Sequence, residues 1–579
     1  MKKKISVHFT IIFLYVSTFF IYAQEKTEGQ TYSPAAKEDL WYKNSIIYNL
    51  DVDSFYDADG DGIGDFSGLK EKLYYLKSLG IDAIWLSPFQ KSPNRDNGYD
   101  IEDYYMVHPD YGTAGDMVAF FHLANALGIR IITDMVVNHT SNEHRWFQEA
   151  VKDKESKYRD YYVWSDERPD DWDKGMVFPG VQDKTWTYHP EAGAYYYHRF
   201  YEFQPDLNNR NPKVREEVDK ILGYWLWMGV AGFRLDAVPF IIEDPYTGVE
   251  DPDLDFGMVS DFRKFMQWRR GDAIILGEAN VEPGENKNYF GDDGEGMHMM
   301  FNFYVNQHLF HSMATSDKSS LEKALLDTQD IPQISQWAHF LRNHDELDLG
   351  RLTESQQHEV FAAYGPDEDM QVYERGIRRR LAPMLDNNRK NLEFAYSLIF
   401  SLPGTPVIRY GDEIGMGDNL NLPEREAVRT PMQWNDEKNG GFSIAEKPEN
   451  PVIDEGLYSY DRVNVALQQQ DPGSFLNWTA NLIRIRKQCP EIGMAGWELI
   501  DTGSPHVMGI RYFSGKESLI VFHNFSEGIQ KLKLQKKSFG EKHVSLFQNG
   551  VNFGTRGDFY HIDFEGYGYQ WIRVIGGSY

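Results

Sequence analysis

Short apolar runs alternate with helix-length amphipathic segments along most of the chain from about residue 44. The runs have the length and the composition of buried strands, while segments such as 69–79 and 117–127 repeat apolar residues at helical spacing. Eight such units in series predict parallel strands with crossover helices, that is, a (β/α)₈ TIM barrel of the α/β class. The predicted strands cover residues 45–50, 83–87, 130–136, 231–235, 273–276, 297–301, 338–342 and 406–409.

Two segments interrupt this alternation. Residues 139–210, after the third strand, are rich in Asp, Trp, Tyr and Pro and are too long for an ordinary loop, which predicts an inserted domain. Residues 353–390, between strands seven and eight, contain charged segments such as 373–385 that we predict to be helical. Because the loops after barrel strands surround the mouth of the barrel, we expect this second insert to act as a lid.

The pattern changes again after Cys489. Segments 507–513, 518–522 and 569–574 alternate apolar and polar residues with turn residues between them. Residues 491–579 are therefore predicted to form a C-terminal antiparallel β-sandwich domain. The barrel would then consist of two parts, 40–138 and 211–490.

The first residues have the features of a secretion signal. Three lysines precede an apolar stretch from about residue 9 to 22, and Ala23 offers a small-residue cleavage site. Residues 1–23 are predicted to be a signal peptide, with periplasmic or extracellular export and no transmembrane span in the mature chain. An uncleaved membrane anchor is the alternative, although the apolar stretch is short for a span. Cys489 is the only cysteine, so no intramolecular disulfide is expected.

The net charge of the chain disfavours some classes of binding partner. The chain has 59 Lys and Arg against 88 Asp and Glu, a formal net charge of -29. This charge repels nucleic acid and anionic lipid surfaces, and it is compatible with a neutral small-molecule substrate such as a sugar.

Several predicted strands end in carboxylates. Asp236 follows strand four, Glu278 follows strand five, Asp345 follows strand seven, and Asp134 lies near the end of strand three. In a TIM barrel the active site lies at the C-terminal ends of the strands. Any one of these acids alone would more often be a helix cap or a structural ion-pair partner. Four acids at equivalent positions indicate a catalytic site.

Two facing carboxylates can cleave a glycosidic bond, because one attacks the anomeric carbon and the other protonates the leaving oxygen. The retaining mechanism requires them to be about 5 to 5.5 Å apart. Neighbouring strands lie about 4.8 Å apart, so Asp236 and Glu278 fit this requirement. Arg234 points to the same side of its strand as Asp236 and can keep that carboxylate ionised.

These residues lie in segments that resemble the motif regions of the α-amylase family, glycoside hydrolase family thirteen. The resemblance covers nearly the whole chain after the leader, with motifs at 134–139, 204–208, 232–237, 277–279 and 343–345. It implies that Asp236 is the nucleophile, that Glu278 is the general acid/base, and that Asp345 binds the ring hydroxyls. It also implies that the remaining pocket residues are His139, Arg234 and His344.

The resemblance extends to the far end of the pocket. Segment 96–100 matches a motif in which a tyrosine, here Tyr99, stacks on the glucose and an aspartate, here Asp96, binds its distal hydroxyls. In exo-acting relatives that aspartate pairs with an arginine, and Arg429 in segment 429–434 matches this arginine. The implied substrate is a short chain end. A purely structural salt bridge is the alternative for Asp96 and Arg429.

Segment 57–65 alternates carboxylates with glycines, so that several oxygen ligands can surround one Ca²⁺ ion. It is not an EF-hand, because its twelfth position is Gly68 rather than glutamate. In relatives, this loop binds a structural Ca²⁺ through its carboxylates and one carbonyl, and a metal-free turn is the alternative. The implied ligands are Asp57, Asp59, Asp61, Ile63 and Asp65, with Asn138 and Asp206 matching a second calcium position.

Segments 341–347, 375–383 and 410–416 resemble the trehalose synthase branch of the family. This resemblance implies retaining glucosyl transfer that isomerises short α-1,4-glucosides such as maltose, and Ala237 resembles the α-1,4-preferring members. The leader, together with departures at 178–184 and 244–254, keeps open a secreted α-glucosidase or α-amylase that hydrolyses maltooligosaccharides. A non-catalytic carbohydrate-binding protein is a further alternative.

Overall fold

The computed structural model describes residues 40–244, 246, 252–515, 517–536, 540 and 542–575. The predicted signal peptide, 1–23, lies outside these residues. Within the described ranges, no helix is both long enough and apolar enough to cross a membrane. All elements discussed below lie between Tyr42 and Ile575, within one unit of the chain.

Eight parallel strands close into a barrel in which the first strand pairs with both the second and the eighth. This arrangement confirms the predicted TIM barrel. Strand β7 is shifted by two residues towards the N-terminus relative to its predicted range of 338–342. It begins at Gln336 because Gln336 and Trp337 already pair with β6, and it ends at Phe340. The strands are β1 (Ile47–Leu50), β2 (Ala83–Leu86), β3 (Arg130–Met135), β4 (Gly232–Leu235), β5 (Ile274–Gly277), β6 (Met299–Phe301), β7 (Gln336–Phe340) and β8 (Thr405–Arg409).

Helices connect the strands, and the predicted helices 69–79 and 117–127 are both present but begin earlier. The first is capped by Asp65, whose side chain accepts a hydrogen bond from the Gly68 amide. The second starts with a capping box formed by Thr113 and Asp116. The longer helices between and after the strands are Phe66–Leu79, Ala114–Ala126, Pro212–Met228, Gly257–Arg269, Phe303–Thr315, Ser319–Asp327, Arg389–Ser401 and Phe475–Arg486.

The segment after β3 is a separate substructure built around aromatic side chains. It contains the helix Arg145–Lys152 and a three-stranded antiparallel sheet of Trp164–Ser165, Ala194–Tyr197 and Trp186–His189. Isolated bridges, including His139 with Asp206, attach its two ends to each other beside the barrel. The insert therefore begins and ends next to the C-terminal edge of β3.

The second insert contains the helix Glu354–Tyr364, whereas the predicted helix over 373–385 is confirmed only near its end, where Leu381–Met384 forms one helical turn. Gly376–Ile377 instead pairs with Leu347–Asp348 on one side and with Gln371–Val372 on the other. Tyr373 and Glu374 have φ values of 53° and 59°, in the left-handed region, so they form the turn of a hairpin. The pattern of charged residues in this segment is typical of a helix, but its first part pairs with neighbouring strands instead.

Six strands form the predicted antiparallel C-terminal domain as one hydrogen-bonded sheet. The sheet packs on the barrel helix Arg389–Ser401, where the Trp571 indole donates a hydrogen bond to the Ser397 hydroxyl over 3.0 Å. The domain thus covers the outside of the barrel. Its strands are Trp497–Leu499, Val507–Ser514, Glu517–Asn524, Gln530–Gln535, Lys542–Arg556 and Phe559–Ile575.

Candidate active site

The predicted catalytic pair stands at the ends of two neighbouring strands in register. Leu235 of β4 is opposite Gly277 of β5, so Asp236 and Glu278 follow at equivalent positions. The Glu278 amide donates to the Leu235 carbonyl over 3.0 Å and extends the ladder to the catalytic residues. The alternation of the two strands therefore places both carboxylates at the mouth of the barrel, as predicted.

Arg234 lies at the centre of this group, with 1% of its side chain exposed. It forms an ion pair with Asp236, a second one with Glu278 at 2.8 Å, and a third one with Asp134 at 2.6 Å. Asp134 is held from its other side by the Trp85 indole at 3.0 Å. One guanidinium thus fixes the positions of both catalytic carboxylates, and Asp134 anchors the guanidinium.

The two catalytic carboxylates have raised pKa values. Burial raises the pKa of Asp236 to about 6, and Arg234 acts in the opposite direction. Burial raises the pKa of Glu278 to about 7 against the same guanidinium, with Asp236 and Asp345 adding to the rise. Glu278 is therefore the group that retains its proton more readily, which is the property of a general acid.

Asp345 is surrounded by two arginines and a histidine. Its carboxylate lies 2.8 Å from Arg425, 3.1 Å from Arg429 and 3.2 Å from His344. Burial by itself would raise the pKa of Asp345, but the neighbouring His344, Arg425 and Arg429 groups hold it well below its ordinary value. Asp345 is therefore an ionised acceptor of hydrogen bonds and not a proton donor.

The expected pairing of Asp96 with Arg429 is wrong. Asp96 pairs instead with Arg425 at 2.9 Å and also accepts a hydrogen bond from Gln204 over 2.9 Å. Arg429 lies behind this pair, where it contacts Asp345, the side chain of Glu426 and the backbone of His344. The sequence analysis missed Arg425. Its position, only four residues before Arg429, was the one available signal that it could reach the same carboxylates.

Tyr99 and His139 line the pocket, whereas His344 contacts Tyr99 without lining it. The Tyr99 hydroxyl lies 2.6 Å from Nε2 of His344, and the two rings are stacked. Nε2 of His139 lies 3.2 Å from the Tyr99 carbonyl oxygen. Burial lowers the pKa of His139 to about 4, so this histidine contributes hydrogen bonds but no charge near neutral pH.

A pocket of about 500 Å³ lies at the barrel mouth, and both inserts contribute to its wall. The predicted site residues that line it are Asp96, Tyr99, His139, Asp236, Glu278 and Asp345. Arg375 of the second insert pairs with Asp348 at 2.8 Å and donates to the Val177 carbonyl of the inserted domain at 2.9 Å. The predicted lid thus lies over the barrel mouth. The sequence analysis did not identify the insert residues that line the pocket, such as Val177, Phe178 and Arg375, because they belong to no motif.

An aromatic cluster closes the roof above Arg425. The ring of Phe178 lies 4.9 Å from the ring of Tyr201 and 4.7 Å from that of Tyr373. Both tyrosine hydroxyls donate to the same Glu424 oxygen, over 2.7 and 2.6 Å. The inserted domain, the second insert and the loop before Arg425 therefore meet at one point.

The predicted metal residues lie apart from this pocket. Carboxylate oxygens of Asp57, Asp59 and Asp61 lie within 4.8 Å of one another, with Asp57 buried and the other two exposed. Ile63 follows in the same loop, and its amide donates to Asp61 over 2.8 Å. Asp65 accepts from the Ala58 and Gly68 amides, both over 2.8 Å, so it caps a helix as well.

The residues matched to the second calcium position are adjacent. The Asn138 amide nitrogen lies 3.2 Å from an Asp206 carboxylate oxygen, and both residues are buried. Burial holds the pKa of Asp206 well above its ordinary value.

A comparison with known protein families shows to which family this chain belongs. The family model described as the alpha amylase catalytic domain matches residues 48–364 and 376–494. The chain belongs to the α-amylase family. It is therefore an enzyme that acts on glycosidic bonds, and the predicted catalytic carboxylates Asp236, Glu278 and Asp345 lie within the matched residues.

Individual members of the α-amylase family extend the comparison. A trehalose synthase of Pimelobacter sp. is 39% identical and covers 93% of this chain and 96% of its own length. A trehalose synthase/amylase of Mycobacterium tuberculosis is 38% identical, covering 92% of this chain and 90% of its own length. Among solved structures, the alpha-amylase from H. orenii has a TM-score of 0.75 at 29% identity, covering 92% of this chain and 99% of that chain.

Proposed function

We propose that this α-amylase family enzyme isomerises short α-1,4-glucosides such as maltose by transferring a glucosyl unit, with trehalose as the product. The observation that carries the proposal is that the Asp96–Arg425–Asp345 ion pairs close one end of the pocket, while both inserts contribute to its wall. A pocket closed at its far end admits one terminal sugar. The similarity to two trehalose synthases supports the transfer.

The proposed reaction is a double displacement. A carboxylate oxygen of Asp236 attacks the anomeric carbon while Glu278 donates its proton to the departing O4 of the second glucose. The C1–O4 bond breaks as the bond from C1 to Asp236 forms. In the second step the released glucose turns, gives the proton of its anomeric hydroxyl to Glu278, and attacks the same carbon, which releases Asp236.

Exclusion of water favours transfer over hydrolysis in this scheme, because water and the released glucose compete for the same intermediate. The roof cluster of Phe178, Tyr201, Tyr373 and Glu424 and the bridge from Arg375 to Val177 cover the pocket on the side of the inserts. This cover favours retention of the released sugar close to Asp236.

The test is to incubate the purified enzyme with maltose and to separate the products over time. We expect trehalose to exceed glucose at every time point before equilibrium. Nearly exclusive formation of glucose would overturn the proposal and favour the α-glucosidase alternative. A series of longer maltooligosaccharides then distinguishes action on chain ends from internal cleavage.

We also propose a structural Ca²⁺ held by Asp57, Asp59 and Asp61, together with the Ile63 carbonyl and Asp65. The support is the approach of three carboxylates to within 4.8 Å, a donor set of hard oxygens that suits this cation. The ion would neutralise their mutual repulsion and fix the loop. Asn138 and Asp206 are proposed as part of a second site, and the leader as the means of export to the periplasm or medium.

A further inference from the structure

Arg351 is a pocket residue that connects the loop after β7 with the loop after β5. Strands β5, β6 and β7 are neighbours in the barrel, so its side chain joins the loops on either side of β6. Arg351 and Asn280 both line the pocket. Nε of Arg351 donates to the side-chain oxygen of Asn280 over 3.1 Å, and Nη2 donates to the Asn280 carbonyl. One guanidinium therefore binds both oxygens of Asn280.

The two ends of Arg351 have different surroundings. Its backbone amide donates over 2.7 Å to the side chain of Gln307, a buried residue of the helix Phe303–Thr315. At the other end, Nη1 pairs with Glu282 at 3.1 Å, and the Glu282 side chain is 58% exposed. An ion pair this exposed contributes little by itself. The bonds to Asn280 are therefore the contacts through which Arg351 can fix the loop after β5.

Asn280 lies two residues after Glu278, the general acid of the proposed reaction. The Glu278 side chain is held through one of its two oxygens, because the Arg234 guanidinium at 2.8 Å and the Ala237 amide at 2.9 Å both contact Oε2. This arrangement leaves Oε1 to carry the proton. The direction of Oε1 then depends on the backbone that carries the Glu278 side chain.

The loop after β5 depends on such side-chain contacts for its conformation. Residues 278–282 lie between the end of β5 and the short helix Pro283–Glu285 and belong to no regular element. A general acid must lie within hydrogen-bonding reach of the departing oxygen, and small displacements of a catalytic group reduce the rate strongly. A side chain that holds Asn280 from the opposite loop is thus in a position to affect proton transfer.

We propose that Arg351 is a positioning residue for the proton transfer by Glu278. This inference rests on the proposed function, since it takes Glu278 as the general acid. Arg351 holds Asn280, and with it the loop after β5, in the conformation in which Oε1 of Glu278 reaches the departing glycosidic oxygen. Arg351 acts through Asn280 and is not itself a catalytic residue.

The experiment compares two substrates that differ in their leaving group. The departing O4 of maltose requires a proton, whereas p-nitrophenolate departs from p-nitrophenyl α-glucoside without one. We expect Arg351→Met to lower kcat/KM for maltose by at least about tenfold, a part of the hundredfold or more (roughly) that a positioned general acid contributes. The value for p-nitrophenyl α-glucoside should change less than about threefold.

Three further variants make the comparison specific. Arg351→Lys should recover part of the loss on maltose, because one ammonium group still donates to one oxygen of Asn280. Glu282→Gln removes only the exposed ion pair and should lose less activity than Arg351→Met. Arg269→Met is the matched control, since this exposed arginine ends the helix Gly257–Arg269 and does not line the pocket. It should change neither value.

Equal losses of Arg351→Met on both substrates, or no loss on either, would overturn the inference. Equal losses together with a markedly lower melting temperature would assign Arg351 a structural role instead. Glu278→Gln is measured alongside, and it should lose far more activity on maltose than on the nitrophenyl substrate. If it does not, the general-acid assignment fails and the inference fails with it. If the unmodified enzyme produces only glucose, the isomerisation alone fails, because hydrolysis of maltose needs the same proton.

Discussion

Arg425 connects two carboxylates that are far apart in the sequence, reaching Asp96 at 2.9 Å and Asp345 at 2.8 Å. Its guanidinium also lies over the ring of Phe178, 5.0 Å from the ring centre. One side chain therefore closes the far end of the pocket and joins it to the roof. The residue matched to this role by family resemblance, Arg429, supports Asp345 from behind.

We predict that Arg425→Ala lowers kcat/KM for maltose by at least about tenfold, because Asp96 and Asp345 lose a shared partner and repel each other. Arg425→Lys should give an intermediate loss, since one ammonium group cannot span both carboxylates as a guanidinium does. Arg378→Ala is the control: Arg378 anchors the same loop through the Leu420 carbonyl at 2.9 Å but does not line the pocket. Normal turnover of Arg425→Ala would contradict this reading of the pocket.

The assignment of the catalytic pair predicts large effects on rate with little effect on folding. Asp236→Ala and Glu278→Gln should each lower kcat by at least about a thousandfold, since both groups act at the chemical step. Circular dichroism and melting curves should resemble those of the unmodified enzyme. Asp327→Asn, which removes an exposed carboxylate, is the control. Activity within tenfold of normal in either catalytic variant would refute the assigned roles.

The pKa values of the two carboxylates predict a bell-shaped pH dependence of kcat/KM. Asp236 must be deprotonated to attack, so activity falls as the pH decreases through about 6, the raised pKa of this group. Glu278 must be protonated to assist departure, so activity falls as the pH increases through about 7. Steady-state rates between pH 4 and 9 test the prediction. A profile that still rises well above pH 7 would exclude Glu278 as the general acid.

The proposed Ca²⁺ site predicts a stability effect that is separate from the chemistry. A chelator should lower the melting temperature, because an ion bound only to the folded state stabilises it by about 2.7 kcal/mol at a hundredfold excess over its Kd. Asp59→Ala and Asp61→Ala should lower the melting temperature without chelator and make its addition ineffective. Initial rates measured below the transition should change little. An unchanged melting temperature in chelator would indicate a metal-free loop.

The sequence by itself determined the barrel and the carboxylates that we predict to be catalytic. The pattern within each strand, a property of three to six neighbouring residues, specifies which side chains lie at the barrel mouth. Asp236, Glu278 and Asp345 could therefore be identified as strand-end carboxylates before any contact was known. Their motif neighbours then pointed to the family.

Only the tertiary structure decided how the pocket is closed. Asp96 and Arg425 are 329 positions apart, so their ion pair depends on the packing of two loops and not on local spacing. Segment 373–385 has the charge pattern of a helix, yet pairing with Leu347–Asp348 makes part of it a strand. The periodicity of apolar residues is a local property and can be recognised in the sequence. The partners of an ion pair or a strand depend on the tertiary fold.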